Sequence, residues 1–346
     1  MSDDALGSSA RVSAAIFGSR VLGLVRESVF AALFGAGAVA DAYQVAFRVP
    51  NLLRDLFAEG ALSSAFVPTF TAALHDDGRA RADALANLAL AGLLMVTGTI
   101  TTLAIVFAEP IVLAMTRGFA GDEAKLALAV ELTRVMLPIL ALVSLAAVWM
   151  GMLNAQRRFV VPALAPALFN VVSIGVGVVL WLLGTPVLTA VLAWSVGTVA
   201  GGIVQVGVLL VALWRLGYRP RLHLRGLASD PGVRRIVRLM GPAVIGIAAV
   251  NVNVFINTGF AGELGDGPLA QLTYAFRLFF VPLGVFGVAL AIVTTTSVSI
   301  EAARGDREAL GARTREGMSA AWMLTTASAV GLALLAEPLV RLIYHH

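Results

Sequence analysis

Ionisable side chains interrupt stretches of this sequence that are otherwise long and apolar. Arg20, Arg26 and Glu27 fall in the first such stretch, Asp41, Arg48, Arg54, Asp55 and Glu59 in the second, and Arg277 in the eighth. An arginine at mid-bilayer costs on the order of 3 kcal/mol on insertion scales. Several facing lipid would cost more than the roughly 5–15 kcal/mol that stabilises a domain. These groups must therefore face each other or a water-filled cavity. Asp41, Arg48 and Asp55 recur at a spacing of seven, and Asp55 and Glu59 at a spacing of four, which lines them along one helical stripe. Arg54 and Asp55 are adjacent and point about 100° apart, so one is expected to pair within the stripe while the other looks into the gap between helices. Arg20 has no acid within a turn, Glu27 adjoins Arg26 on a different face, and Arg277 has no acid in its own span. Guanidinium groups so placed in a cavity call for an external anion, and a planar fork that grips two oxygens suits phosphate. The alternative is an ion-pair network that only pins helices together, which Asp55 and Glu59 would also fit.

Nothing in the chain suits covalent catalysis. It has no Cys, so thiolate nucleophiles, thiolate metal sites and disulfides are excluded. His75, His223, His345 and His346 have no other ligand-type residue at metal spacing, apart from the terminal pair. No Ser–His–Asp set or phosphate-binding glycine loop is present. Neither a cofactor nor a metal is expected.

The elements that must position these charges follow from composition. Of 346 residues, 59% are hydrophobic and 13% charged, with a mean hydropathy of +0.88. Soluble domains carry about a quarter charged residues, so the chain is read as an all-α polytopic membrane protein. Stretches long enough to span number nine: 12–34, 41–74, 84–108, 126–153, 160–183, 187–214, 236–260, 269–300 and 317–341. Pro50 is expected to kink the second, and Pro138, Pro162, Pro166, Pro242 and Pro282 fall in or at the ends of others. Gly197 and Gly201 are spaced for close helix contact. Alternate loops are basic, at Arg11, Arg79–Arg81, Arg157–Arg158, Arg215–Arg238 and Arg304–Arg315, whereas the opposite loops hold Arg117 and Lys125. The positive-inside rule then puts the N-terminus in the cytoplasm. The same rule accounts for the net charge of +4 without nucleic acid, for which the loops are too short to form a module.

An internal repeat divides the chain. Shifted by 229 residues, Ala46-Phe47-Arg48 falls on Ala275-Phe276-Arg277, Phe57 on Phe286 and Asp77 on Asp306. The period is six helices, an even number, so the two copies run in the same direction, and transporters built from parallel repeats place their site between the halves. Residues 1–222 are expected to form a six-helix lobe and 223–346 the first three helices of a second, with further helices belonging to a longer protein.

The densest run of motifs is Ser19-Arg20-Val21-Leu22-Gly23-Leu24-Val25-Arg26-Glu27, Phe34-Gly35-Ala36-Gly37, Ala40-Asp41-Ala42, Phe47-Arg48-Val49-Pro50-Asn51-Leu52-Leu53-Arg54, Leu56-Phe57-Ala58-Glu59-Gly60-Ala61 and Phe66-Val67-Pro68. Asn154-Ala155-Gln156-Arg157-Arg158-Phe159, Pro162-Ala163-Leu164-Ala165-Pro166 and Met240-Gly241-Pro242-Ala243 extend it. Together they resemble the MurJ (MviN) family of lipid II flippases, in the multidrug/oligosaccharidyl-lipid/polysaccharide exporter superfamily. The resemblance implies a two-lobed, alternating-access carrier in the bacterial inner membrane, with a cationic cavity for the diphosphate head of lipid II. By match of motif it assigns required cavity arginines to Arg20, Arg26, Arg54 and Arg277 and a required aspartate to Asp41. Arg48 joins them as a substrate-binding candidate, with Glu27, Asp55 and Glu59 as supporting or gating groups. Expected partners are lipid II, membrane lipids and proteins of cell-wall synthesis. Where the family often has an acid before the arginine of the eighth span, this chain has Phe276. Rival readings are an exporter of another lipid-linked oligosaccharide or small substrate, a membrane scaffold for cell-wall enzymes, and a membrane-embedded transferase. A drug-cation exporter would show carboxylates in excess, whereas arginines outnumber acids here.

Overall fold

The computed structural model describes residues 3–55, 60–282, 290, 294, 298, 301 and 307–344. Its elements are α1 (Asp3–Phe34), α2 (Ala38–Arg54), α3 (Gly60–Asp76), α4 (Arg79–Val106), α5 (Ala108–Met115), a 3-10 turn (Arg117–Gly121), α6 (Glu123–Met136), α7 (Ile139–Ala155), α8 (Val160–Leu182), α9 (Val187–Arg215), α10 (Pro231–Gly262), α11 (Pro268–Pro282) and α12 (Arg307–Tyr344). No strand occurs among the described residues. Six helical stretches there are long and apolar enough to cross a membrane, the pair α6–α7 counting as one.

The apolar spans resolve into more helices than spans. The second is described as α2 and α3, on either side of residues 56–59, and Pro50 lies buried inside α2. Proline removes a backbone bond without ending a helix that packing holds on both sides. The fourth span divides at Leu137 and Pro138, between α6 and α7.

Two compact units are present, Met1–Ala270 and Gln271–His346. The first has a hydrophobic core between α3, α4, α7 and α9, where Phe66 stacks on Phe70 at 5.4 Å and Tyr218 is fully buried. On the other side α1 and α9 pack on α8. Gly197 and Gly201 sit in that contact as their spacing predicts. A Cβ on Gly197 would stand 2.8 Å from Val176, and one on Gly201 3.0 Å from Phe169, so only hydrogen fits without movement. In the second unit Tyr274 stacks on Tyr344 at 4.5 Å.

Loops meet at both ends of the first unit. At one end Arg81 pairs with Asp230 at 3.0 Å, Arg79 donates to the Leu216 carbonyl, and the Tyr218 hydroxyl and Arg221 amide both donate to the Asn87 side-chain oxygen, at 2.6 and 3.0 Å. Burial and then the nearby Asp83 raise the Tyr218 phenol's pKa, so it stays a neutral donor. Asp230 caps α10, accepting from the amides of Gly232 and Val233, with Pro231 in the first turn. At the other end meet the start of α2, the 3-10 turn with α6, and the turn from α10 into α11.

Candidate functional site

The start of α11 explains that second junction. The residue before it, Gly267, has φ +107°, a left-handed backbone that glycine adopts without strain. It also has no side chain with which to cap the helix. Asp41 of α2 does so instead. One carboxylate oxygen accepts from the Gly267 amide at 2.6 Å and the other from the Ala270 amide at 2.8 Å. The bond to the third helical amide is the one a side chain at the cap position would make. Asp41 is wholly buried, and such a carboxylate needs a compensating charge. Lys125, near the start of α6, supplies it at 3.2 Å.

Lys125 is itself buried, and its ammonium is fully used. It also donates to the Gly265 carbonyl at 3.3 Å and to Asp266 at 2.7 Å, and it lies 4.4 Å from the centre of the Phe119 ring. Its backbone amide donates to the Asp122 side chain, which caps α6. Close backbone approach completes the junction, since a Cβ on Gly262 would stand 3.0 Å from Thr116. Asp41, expected to bind substrate, here joins α2 to the start of α11 and to Lys125.

Along α1 and α2 the other charges separate into three environments. Arg26 is buried and donates to Glu27 at 2.7 Å. Its guanidinium lies 5.4 Å from the centre of the Phe47 ring and 5.5 Å from that of Phe169. The expectation that Glu27 faces elsewhere is corrected: Cα–Cβ directions 100° apart do not stop a long arginine from reaching back. Arg48 reaches across to α10 and donates to the Thr258 hydroxyl at 2.6 Å. Arg54 and Asp55, expected to part, bond each other at 3.0 and 3.2 Å and remain half-exposed. The stripe of Asp41, Arg48 and Asp55 therefore does not act as a contact ladder, because side chains seven apart lie roughly 10 Å apart along the axis. Arg20 is exposed and has no ion-pair partner among the described residues. Glu59 lies outside the described residues. Arg277 belongs to the second unit, where it is exposed.

Sequence reasoning counted Lys125 only as a loop charge. One signal could have found it: it is the sole lysine among 25 basic residues of this chain.

The helical fold of the described residues, with charges buried among apolar spans, is that of a polytopic membrane protein. The first unit and its continuation align with a solved structure described as "Lipid II flippase MurJ, inward closed conformation", at TM-score 0.80 and 24% identity over 97% of this chain and 67% of that one. They also align with an inward-facing multidrug transporter of the MATE family, at TM-score 0.76 and 18% identity over 94% of this chain and 72% of that one. The family described as "Lipid II flippase MurJ" matches residues 30–346, and the chain belongs to it. The lipid II flippase MurJ of Burkholderia cenocepacia is 35% identical over 95% of this chain, and the probable lipid II flippase MurJ of Rhizobium meliloti 34% over 97%. The chain spans 63% and 62% of the length of those two relatives.

Proposed function

We propose that this protein carries lipid II across the bacterial inner membrane by alternating access, with a cationic cavity that holds the diphosphate of the head group. Membership of a flippase family supports the substrate. The observation that carries the mechanism is the closed junction at Asp41, set beyond two tiers of guanidinium groups. At 1.5 Å per residue, Arg48 lies roughly 10 Å and Arg54 roughly 20 Å along α2 from Asp41, and Arg26 and Arg20 lie roughly 12 and 21 Å back from the end of α1. The contact of Arg26 with the Phe47 ring puts Arg26 and Arg48 at one depth. A path closed at one end with cationic groups inside is one half of an alternating-access cycle.

The charge bias of the loops makes the closed end the outer one and the N-terminus cytoplasmic. The carrier then has nine spans here, a six-helix lobe of 1–222 and the start of a second lobe over 223–346, related by the parallel repeat. Arg277 and Glu59 join the site by motif, and Glu27 and Asp55 hold their neighbouring arginines in place. No bond of the substrate is made or broken, so neither catalysis nor a cofactor is required. Proteins of cell-wall synthesis are natural neighbours of such a carrier.

Affinity should follow phosphate charge. A charge-assisted bond contributes about 1.5–3 kcal/mol, so each lost contact weakens binding roughly 10- to 150-fold. Binding of lipid II, its monophosphate analogue and the uncharged polyprenol is measured on the intact protein and on Arg26→Ala. Lipid II is expected to lead by about one to two decades, and Arg26→Ala to lose most of that lead. Equal binding of all three lipids would show that the tail, not the head, is recognised.

A further inference from the structure

The lysine at the closed junction does more than neutralise a buried acid. Lys125 has three N–H donors, and the three acceptors come from two places: Asp41 on α2, and Gly265 with Asp266 on the turn into α11. The same carboxylate that Lys125 steadies holds two amides of α11. One ammonium on α6 therefore ties three elements, α2, α6 and the α10–α11 turn, through a single point. Of the groups involved, Lys125 and Asp41 are sealed from solvent, whereas the Asp266 side chain is 58% exposed. The knot thus has a buried half and a half that water reaches.

We propose that Lys125 is the positioning residue of an outer latch: it aims Asp41 at the α11 amides and pins the Gly265–Asp266 turn, and the strength of its contacts sets how often the outer end opens. Opening of that end must part α2 from the start of α11, which strips Asp41 of both amides. Lys125 sits where it can keep the carboxylate compensated during the separation, since α6, which carries it, packs on α2. The exposed Lys125–Asp266 bond is the contact that breaks first, because water replaces it on the spot. This rests on the alternating-access reading, but the device itself needs no substrate.

The chain has no Cys, so a single reporter is clean. Ala42 follows Asp41 and is fully buried here, so Ala42→Cys reacts with a membrane-impermeant maleimide from outside only when this end opens. Labelling rates are measured in membranes without lipid II, with wild-type Lys125 and Asp266, with Asp266→Asn, with Lys125→Met and with Lys125→Arg. Asp266→Asn leaves no buried charge unpaired and should fold normally. It is expected to raise the labelling rate about two- to five-fold, the scale of a half-exposed ion pair. Lys125→Met is expected to raise it further, and Lys125→Arg to return part of the way. Wild-type labelling rates in both Asp266→Asn and Lys125→Met overturn the proposal. So does a fall in thermal stability of Lys125→Met with no change in labelling, which would mark the lysine as a structural counter-ion alone. Because substrate is absent, either result stands apart from whether lipid II is the cargo.

Discussion

Under the proposed function, Arg26 is a side chain that is structural and substrate-facing together. One of its nitrogens is committed to Glu27 and its faces lie by two aromatic rings, which leaves other N–H groups of the fork for an anion. Arg26→Ala removes that fork and the 2.7 Å ion-pair partner of a buried carboxylate, a loss of about 3–5 kcal/mol when one member of a buried pair is deleted. Replacing both members, Arg26→Met with Glu27→Gln, should recover most of that stability, yet transport should stay abolished. Arg26→Lys should restore transport only in part, because a point charge cannot grip two oxygens at once. Thermal melting of the purified protein and rescue of cells depleted of their resident flippase separate the two effects. Full transport by the double variant would reduce Arg26 to a packing group. The Arg26–Glu27 bond was not legible in sequence, since helical-wheel angles describe where Cβ points and not how far a guanidinium reaches.

At the scale of helices, hydropathy made most of the fold legible and long-range contacts made up the rest. The stretches over 84–108, 160–183 and 187–214 coincide closely with α4, α8 and α9. The close contact at Gly197 and Gly201 could be read from their spacing, and Pro138 marked the division between α6 and α7. Lys125 could not be assigned to Asp41 in the same way, because its partners lie 84 and 141 residues away. The caps were half legible: Asp230-Pro231 reads as a helix start, but its ion pair with Arg81 spans 149 residues. That cap yields a pH prediction. Burial pushes the Asp230 carboxyl up, but the Arg81 guanidinium and the amides of Val233 and Gly232 outweigh it and hold its pKa below the ordinary carboxylate value. The stabilisation is therefore complete above the unfolded value, near pH 4, and is lost as pH falls through the lower folded one. Asp230→Ala should cost about 0.5–2 kcal/mol at neutral pH, and the gap to wild type should close as pH falls below the ordinary carboxylate range. Melting curves across that range test it, and a gap that persists in acid would mean that the carboxylate's charge is not what stabilises α10.

At the scale of the molecule, the two sets of loop contacts define two ends of the first unit, and the proposed topology assigns them sides from the distribution of charge. The basic segments at Arg79–Arg81 and Arg219–Arg225 meet at one end through Arg81–Asp230 and the Asn87 bonds. The turns at 117–121 and 263–267, with Lys125 as their main cation, meet at the other. For these four segments the charge bias and the observed contacts agree. Asp41 also bonds the Ala270 amide across 229 residues, the offset of the proposed repeat, and on that proposal equivalent helix starts touch at this end. Contacts of that kind arise where a pseudo-symmetry axis passes between parallel repeats. Single cysteines at exposed loop sites turn this into a measurement. Gly121→Cys and Leu264→Cys should react with an impermeant maleimide added outside intact cells, whereas Asp77→Cys and Leu222→Cys should react only after the membrane is opened. None of these four side chains takes part in the latch or the arginine tiers, so folding should be undisturbed. The reverse pattern would put the Asp41 junction on the cytoplasmic side and make the arginine tiers open outward instead. A mixed pattern, with Gly121 and Leu264 on opposite sides, would break the contact between the 3-10 turn and the α10–α11 turn and with it the two-ended arrangement.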